Sequence, residues 1–293
     1  MTDLQSVLET QMMKLQLAEA AELEDGKSQK QCFKSLLKKS ERPLKMVSAA
    51  YYIPKDQKLK PQGEDAHFIC ADEQVIGTAD GVGGWVRQGI DAGEYALKLM
   101  INSADTVRKI KASSSSSAID PKKVLYQAFV GARKIKGSST ACIVALNGRV
   151  LHAANVGDSG FIVFRDKQFL YRSPTQQRGF NRPYQLGNHW SSDRPHCASE
   201  PKVPVMVGDI VVLGTDGLLD NLFIREMEII IEKTEEVKPE KLAEEIARMA
   251  YFKSLNEDCE TPFSSTMCKF LGRQKLGGKK DDITVIVGHI VGK

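Results

Sequence analysis

The sequence predicts an α+β fold in which helices are segregated onto packed, mostly antiparallel sheets. The first reason is element order. Strands come first, then two helices, a run of strands, two more helices and a closing strand, and this order does not alternate in the manner of a parallel βαβ sheet. The second is a pair of hairpin signals between apolar runs, at Asn147-Gly148 and at Arg165-Asp166-Lys167. The third is composition: 293 residues, 42% hydrophobic and 27% charged, describe a globular chain able to bury one sizeable core. No internal repeat is present.

Each element has its own signal. Leu4, Leu8, Met12 and Leu15 recur at helical spacing and predict an amphipathic helix. With the lysine-rich stretch Lys27, Lys30, Lys34, Lys38 and Lys39, it makes residues 1–45 an appended tail with a disordered linker. From residue 46 the pattern turns strand-rich. AHFIC (66–70) and QVIGTA (74–79) flank polar ADE and predict a hairpin. The segment 94–110 lines Ala96, Leu99, Met100, Ser103 and Val107 on one helical face, and ASSSSSA (112–118) is a low-complexity loop. Pro121 opens a second helix with Val124, Leu125, Ala128, Phe129 and Ala132 on one side. TACIVAL, RVLHAANV, GFIVF and QFLY form the middle strands, and DIVVLGT (209–215) is a buried strand. IREMEIIIEK and PEKLAEEIARMAYF are helices, and a loop with Gly277 and Gly278 leads to the last strand, ITVIVGHIV.

Several function classes are disfavoured. A net charge of +4, from 41 basic and 37 acidic residues, is too mild for a nucleic-acid binder, and no Lys/Arg block lies beside stacking aromatics. The cysteines Cys32, Cys70, Cys142, Cys197, Cys259 and Cys268 lack CxxC spacing and read as scattered reduced thiols of an intracellular protein. No apolar run reaches the ~20 residues a membrane helix needs. The segment MTDLQSVLETQMM has neither the basic flank and apolar core of a secretory signal nor the arginines of a transit peptide. The expectation is therefore a cytoplasmic or nuclear location, with an organelle left open.

The chemistry lies at strand ends. Asp80 ends the strand QVIGTA, Asp158 follows RVLHAANV and Asp216 follows DIVVLGT. Asp281 and Asp282 precede the last strand, and Glu64 and Asp65 precede AHFIC. One aspartate in such a place reads as a turn residue. Several at the rims of one core would repel one another severely unless cations joined them. Mg²⁺ or Mn²⁺ favours this carboxylate, carbonyl and water environment. Gly81, without Cβ, lets a main-chain carbonyl approach as a ligand, and Gly83 and Gly84 permit a sharp turn. Two such ions, about 3.5–4 Å apart, can hold a bridging hydroxide for in-line attack on a phosphate ester without a phosphoenzyme.

The segments GEDAHF (63–68), ADGVGGW (79–85), GSSTACIVAL (137–146), ANVGDSG (154–160), GDIVVLGTDGLLDN (208–221) and KKDDITVIV (279–287) resemble the metal-dependent serine/threonine protein phosphatases of type 2C. The resemblance covers most of residues 46–291 and is closest to a short branch found in plants and in mitochondria of other eukaryotes, a likeness that YRSPTQQRGFNRPYQLG (171–187) supports. It implies a four-layer αββα sandwich over residues 46–293, hydrolysis of phosphoserine and phosphothreonine in proteins, two Mg²⁺ or Mn²⁺ ions, phosphoprotein partners and a monomer. It implies Asp80 and Asp65 as catalytic residues. It implies Asp80 (bridging), Gly81 (through its carbonyl), Asp216, Asp281 and Glu64 as metal ligands, with Glu64 and Asp65 binding water at the second ion. Asp158 and Asp220 match acids of a third metal site in some members.

Three positions depart from the family pattern. Val82 stands where many members carry a histidine able to protonate the leaving group, which leaves metal-bound water or another residue such as His67 for that role. Lys60 stands where an arginine usually binds substrate phosphate, supplying charge without the planar fork. Arg87 and Arg178 are alternative phosphate ligands. Gly160 stands where many members have arginine, a change expected to alter only a surface contact. Two other functions are weighed against the phosphatase: a catalytically weak regulatory protein of the same fold, and a metal-dependent nuclease, which would want a basic groove.

Overall fold

The structure, a computed structural model, describes residues 43–56, 60, 62–113, 118–234, 238–272 and 274–293. Residues 1–42 of the predicted tail and most of the serine-rich loop lie outside the described residues. Leu44–Val291 form one folded unit. Of the other unit only Pro43, Gly292 and Lys293 are described, and Lys293 N donates to the Pro43 carbonyl at 2.8 Å.

Strands β1 (Leu44–Ile53), β2 (Asp65–Cys70) and β3 (Val75–Asp80) lead to helix α1 (Ala92–Ser113). Ala96, Leu99, Met100, Ser103 and Val107 are buried on α1, as their spacing predicts. Helix α2 (Pro121–Ala132) starts where Pro121 needs no hydrogen-bond acceptor for its nitrogen. Asp120 caps it by accepting from Lys122 N at 3.0 Å. The short β4 (Ser138–Ser139) and then β5 (Ala141–Asn147), β6 (Val150–Val156), β7 (Gly160–Arg165) and β8 (Gln168–Arg172) follow. Next come β9 (Leu186–Gly187), β10 (Lys202–Pro204) and β11 (Ile210–Gly214). The one-turn helix α3 (Asp216–Leu219) precedes α4 (Ile224–Lys233), α5 (Pro239–Leu255), α6 (Pro262–Leu271) and β12 (Ile283–Gly292).

One sheet has the order β1-β12-β11-β7-β8 and the other β10-β6-β5-β3-β2. The pairings β2–β3, β3–β5, β5–β6, β6–β10, β7–β8, β7–β11 and β11–β12 are antiparallel. Three apolar layers separate the elements. Tyr95, Leu99 and Leu125 pack between α1, α2 and the second sheet. Val144, Phe161, Val211 and Leu213 fill the space between the sheets. Ile162, Val212, Met227 and Ile246 pack between the first sheet and α4 and α5. Each fully buried Leu, Val, Ile or Phe contributes roughly 1.5–3 kcal/mol, so the middle layer firmly sets the spacing of the two sheets. The expected αββα sandwich is what forms.

Both hairpins form, with different turn chemistry. Asp166 and Lys167 both take positive φ, +51° and +64°, the conformation of a two-residue type I′ turn. At the other hairpin Asn147 pairs with Val150, so the turn is Gly148-Arg149, with Gly148 at φ +64°. Asn147 serves elsewhere: its amide accepts from Ile119 N at 2.9 Å and donates to Ile119 O at 2.7 Å. A strand, β1, comes earlier in the chain than AHFIC, so Glu64 precedes and Asp65 opens the second strand and not the first. Among the described residues, no helix is long and apolar enough to cross a membrane.

Candidate metal centre

The antiparallel pairing of β2 with β3 sets Asp65 directly opposite Asp80 at one end of the second sheet. At the neighbouring end of the first sheet, β11 runs into α3, which begins at Asp216, and β12 begins just after Asp281 and Asp282. Asp158 lies in the turn between β6 and β7, with its side chain buried. These placements converge. Carboxylate oxygens of Asp80, Asp158 and Asp216 lie within 4.8 Å of one another.

Asp220 and Asp281 join this group through Lys279. Its Nζ donates to Asp216 Oδ2 and lies 3.2 Å from Asp220 Oδ2 and 3.1 Å from Asp281 Oδ2. Asp65 Oδ2 accepts from the hydroxyls of Thr284 at 2.7 Å and Thr215 at 2.8 Å, one from each of the strand ends facing it. Asp65 Oδ1 and Asp158 Oδ1 are buried and have no hydrogen-bond partner, while Asp158 Oδ2 accepts from Gln177 Nε2 at 2.8 Å.

Asp282 plays a different part from Asp281. Its Oδ1 accepts from Lys55 N at 2.7 Å and Tyr52 Oη at 3.1 Å, and its Oδ2 from Glu64 N at 2.9 Å. It thus ties the segment carrying Glu64 to the start of β12. Gly81 N donates to Glu64 O at 3.0 Å, and a Cβ on Gly81 would fall 2.7 Å from that oxygen and 2.8 Å from Ala92 O. The close approach requires glycine there. A Cβ on Gly83 would meet Glu64 Oε2 at 2.8 Å, whereas one on Gly84 would meet nothing within 4 Å.

The other predicted positions sort cleanly. Lys60 Nζ donates to Glu64 Oε1 at 3.0 Å and Asp91 Oδ1 at 2.7 Å, beside the cluster. Arg178 is committed elsewhere, bidentate to Asp193 and stacked over Tyr184 at 4.0 Å. His67 is exposed on β2 and lines a cavity of about 170 Å³ with Leu97, Ile101 and Arg108 of α1. Val82 N donates to Ser138 O at 2.9 Å. Gly160 corrects an expectation: it is buried in β7, opposite Gly214, and a Cβ there would lie 2.5 Å from Ser173 Oγ. The site of the family's arginine is therefore interior here, closed off by Ser173.

Like charges in a desolvated space move the carboxyl groups together. Burial holds Asp80 well above the ordinary carboxylate range, and Asp216, Asp65, Asp281 and Asp158 push it the same way. Burial likewise raises Asp65, reinforced by Asp282 and opposed by the two threonine hydroxyls. Asp216 is lifted to about 7 by burial, with Lys279 opposing and Asp281 adding. Asp158 is lifted to about 6 by burial and the nearby Asp216. For Lys279 burial works against the charged form, but Asp216, Asp220 and Asp281 outweigh it and hold the ammonium above the usual lysine range.

Sequence reasoning missed Lys279, Asn221 and the two threonines. Lys279 lies in KKDD, where two adjacent lysines read as solvated charge. Thr215 and Thr284 carry no signal, because the strand pairing that aims both at Asp65 joins distant segments.

No family model matches the chain. It is 44% identical over 251 residues to the probable protein phosphatase 2C 55 of Arabidopsis thaliana, covering 85% of this chain and 52% of that protein. It is 38% identical over 259 residues to the putative protein phosphatase 2C 24 of Oryza sativa subsp. japonica, covering 85% of this chain and 78% of the other. The chain thus spans about half the length of the first relative and most of the second. Among solved structures, the photosystem II phosphatase PBCP superposes with a TM-score of 0.75 at 29% identity, covering 83% of this chain and 98% of that one. The catalytic domain of the phosphatase PstP, crystallised with two manganese ions, shares the fold with a TM-score of 0.59 at 18% identity, covering 85% and 99%. The identity to the rice protein over most of both chains, on the αββα frame described above, establishes that this chain belongs to the protein phosphatase 2C family.

Proposed function

We propose that the protein is a metal-dependent protein phosphatase that hydrolyses phosphoserine and phosphothreonine in phosphoprotein substrates, acting inside the cell as a monomer. The observation that carries this reading is the convergence of Asp80, Asp158 and Asp216 within 4.8 Å at the adjoining ends of two sheets. The donor set fits hard divalent ions. It is made of oxygen atoms alone, it includes the buried and unpartnered Asp158 Oδ1 and Asp65 Oδ1, and Gly81 gives the backbone a close approach that a side chain would block. Asp80, Asp216, Asp281, Glu64 and the Gly81 carbonyl would hold two Mg²⁺ or Mn²⁺ ions, with Asp158 and Asp220 available to a third. Such ions, when bound, supply Lewis acidity toward the phosphoryl oxygens and lower the pKa of bound water.

The chain's own groups do the rest. Asp65, fixed by Thr215 and Thr284, offers its free Oδ1 as an acceptor that orients water beside Asp80. Lys60 places a cation at the rim, where it attracts the phosphate dianion as a point charge. Val82 cannot move a proton, so leaving-group protonation falls to water. The buried free thiols of Cys70 and Cys142 suit a reducing compartment.

The test is phosphate release from phosphoserine and phosphothreonine peptides, with an oligonucleotide as the contrasting substrate, with Mn²⁺ and with chelator. Release from the peptides alone, abolished by chelator, is expected. Turnover of the oligonucleotide would favour a nuclease. Metal binding without any turnover would favour a regulatory protein.

A further inference from the structure

The structure assigns Lys279 a role as an internal cation that occupies the metal ligand set when no metal is bound, and we propose that divalent ions must displace its ammonium to enter. This rests on reading the acidic cluster as a metal centre. A lysine among acids can be a mobile surface neighbour, but Lys279 is not. Its backbone is clamped on both sides by Asn221, which is fully buried: Lys279 N donates to Asn221 Oδ1 at 2.8 Å, and Asn221 Nδ2 donates to Lys279 O at 2.8 Å. Asn221 Nδ2 also donates to Gly217 O at 2.9 Å, so one amide fixes Lys279 to the α3 turn that carries Asp216 and Asp220.

From that anchor the side chain runs inward. It is 15% exposed, and its ammonium meets Asp216, Asp220 and Asp281 together. The three come from both segments that deliver acids from the first sheet: Asp216 from α3, Asp220 from the residue that caps its end, and Asp281 from the approach to β12. The ammonium donates to Asp216 and Asp220 and forms an ion pair with Asp281 at 3.1 Å, so three carboxylates share one cation. The ring of Phe263, 6.0 Å away, closes the apolar side. Lys280, the next residue, is exposed and serves as an internal control.

Asp216 and Asp281 are also among the carboxylates proposed to hold the divalent ions. Lys279 takes one oxygen, Oδ2, of each, and a divalent ion drawing on the same two carboxylates would lie close enough to the ammonium for the two cations to repel. Lysine therefore lowers metal affinity, and in exchange keeps the acids apart from open repulsion while the site is metal-free. On metal entry the ammonium leaves with its proton, so no proton is released by this residue.

The experiment compares the full chain with Lys279→Met, Lys279→Gln and Lys280→Met. Mn²⁺ affinity is read by titration calorimetry, and melting temperature is read in chelator and in saturating Mn²⁺. The expected result is about tenfold or tighter Mn²⁺ binding in both Lys279 variants, a lower melting temperature in chelator, and a melting temperature in Mn²⁺ equal to that of the parent. Lys280→Met should match the parent throughout. Variants that unfold in chelator and fold on adding Mn²⁺ support the same conclusion. Equal or weaker Mn²⁺ binding in the Lys279 variants overturns it, as does failure to fold in saturating Mn²⁺. A parent chain that binds no Mn²⁺ refutes the metal-centre reading itself, an outcome distinct from either.

Discussion

Asp80→Asn should abolish turnover while making the metal-free protein more stable. Asparagine keeps the size of the side chain, so no cavity forms, and what changes is charge. Asp80 has carboxylate oxygens of Asp158 and Asp216 within 4.8 Å, with Asp65 opposite it across the β2–β3 pair. At an effective dielectric of about 20, two unit charges at that separation repel by about 3 kcal/mol. The neighbours are partly protonated at neutral pH, Asp216 near 7 and Asp158 near 6, and Lys279 offsets part of the rest. A net gain of about 1–3 kcal/mol follows, or roughly 2–4 °C in melting temperature per kcal/mol for a domain of this size. Activity should fall about a hundredfold or more, the scale for losing one preorganised electrostatic group. The assay is paired: thermal melts in chelator and in Mn²⁺, beside phosphopeptide hydrolysis. The parent should gain more from Mn²⁺ than the variant does. A variant that melts several degrees below the parent in chelator would show that Asp80 serves the fold, and would refute the account of the cluster as stored repulsion.

Other outcomes follow from the same geometry. The raised carboxyl groups mean that the metal-free folded chain binds more protons than the unfolded chain, so its stability falls as pH rises from about 4 toward 7. Asp158 alone contributes a slope worth on the order of 3 kcal/mol across that window; denaturant melts in chelator should show it, and saturating Mn²⁺ should flatten it. Gly217→Ala should destabilise by about 1–3 kcal/mol, because its Cβ would fall 1.9 Å from the Asp282 carbonyl oxygen. That sign opposes the helix-propensity gain of about 1 kcal/mol expected at an open site, so a stabilised variant would disprove the clash. Thr284→Val removes a hydrogen bond to a buried carboxylate and should cost about 1–3 kcal/mol by chemical denaturation, with a further rise in the Asp65 pKa by NMR titration. Lys60→Met should raise KM for phosphopeptide more than it lowers kcat, and an unchanged KM would remove Lys60 from the phosphate path.

The frame was legible because its signals are local. The apolar stripe of α1, Pro121 at the start of α2 and the continuous apolar run of β11 each predict their own element. The carboxylates were legible because each lies at a strand end, where fold and chemistry coincide. What escaped is non-local or thinly buried. Helix α6 has a Thr261 cap, Pro262, a Gly272 stop and Phe263, Met267, Phe270 and Leu271 at helical spacing, but it is short and among its residues only Ser264 is buried. The pair β4–β9 joins Ser138 to Gly187 across a long sequence gap. The Asn147-Gly148 signal puts Asn147 in the turn, but its pairing with Val150 shifts the turn by one position and frees its amide to hold Ile119. At Gly160 the sequence predicts only an altered surface contact, because it does not reveal that Ser173 closes over the position. Lys279 carries the same lesson for charge: of two adjacent lysines, only the buried clamp of Asn221 decides which turns inward.

Asp80 terminates a strand of one sheet, and Asp216 follows a strand of the other. If both hold the proposed ion, it is a rivet through two plates. Its grip depends on how the plates are stacked, and that stacking is set by Val144, Phe161, Val211 and Leu213 in the seam. Trimming any of these lets the plates creep, and the rivet hole goes out of round before the stack comes apart.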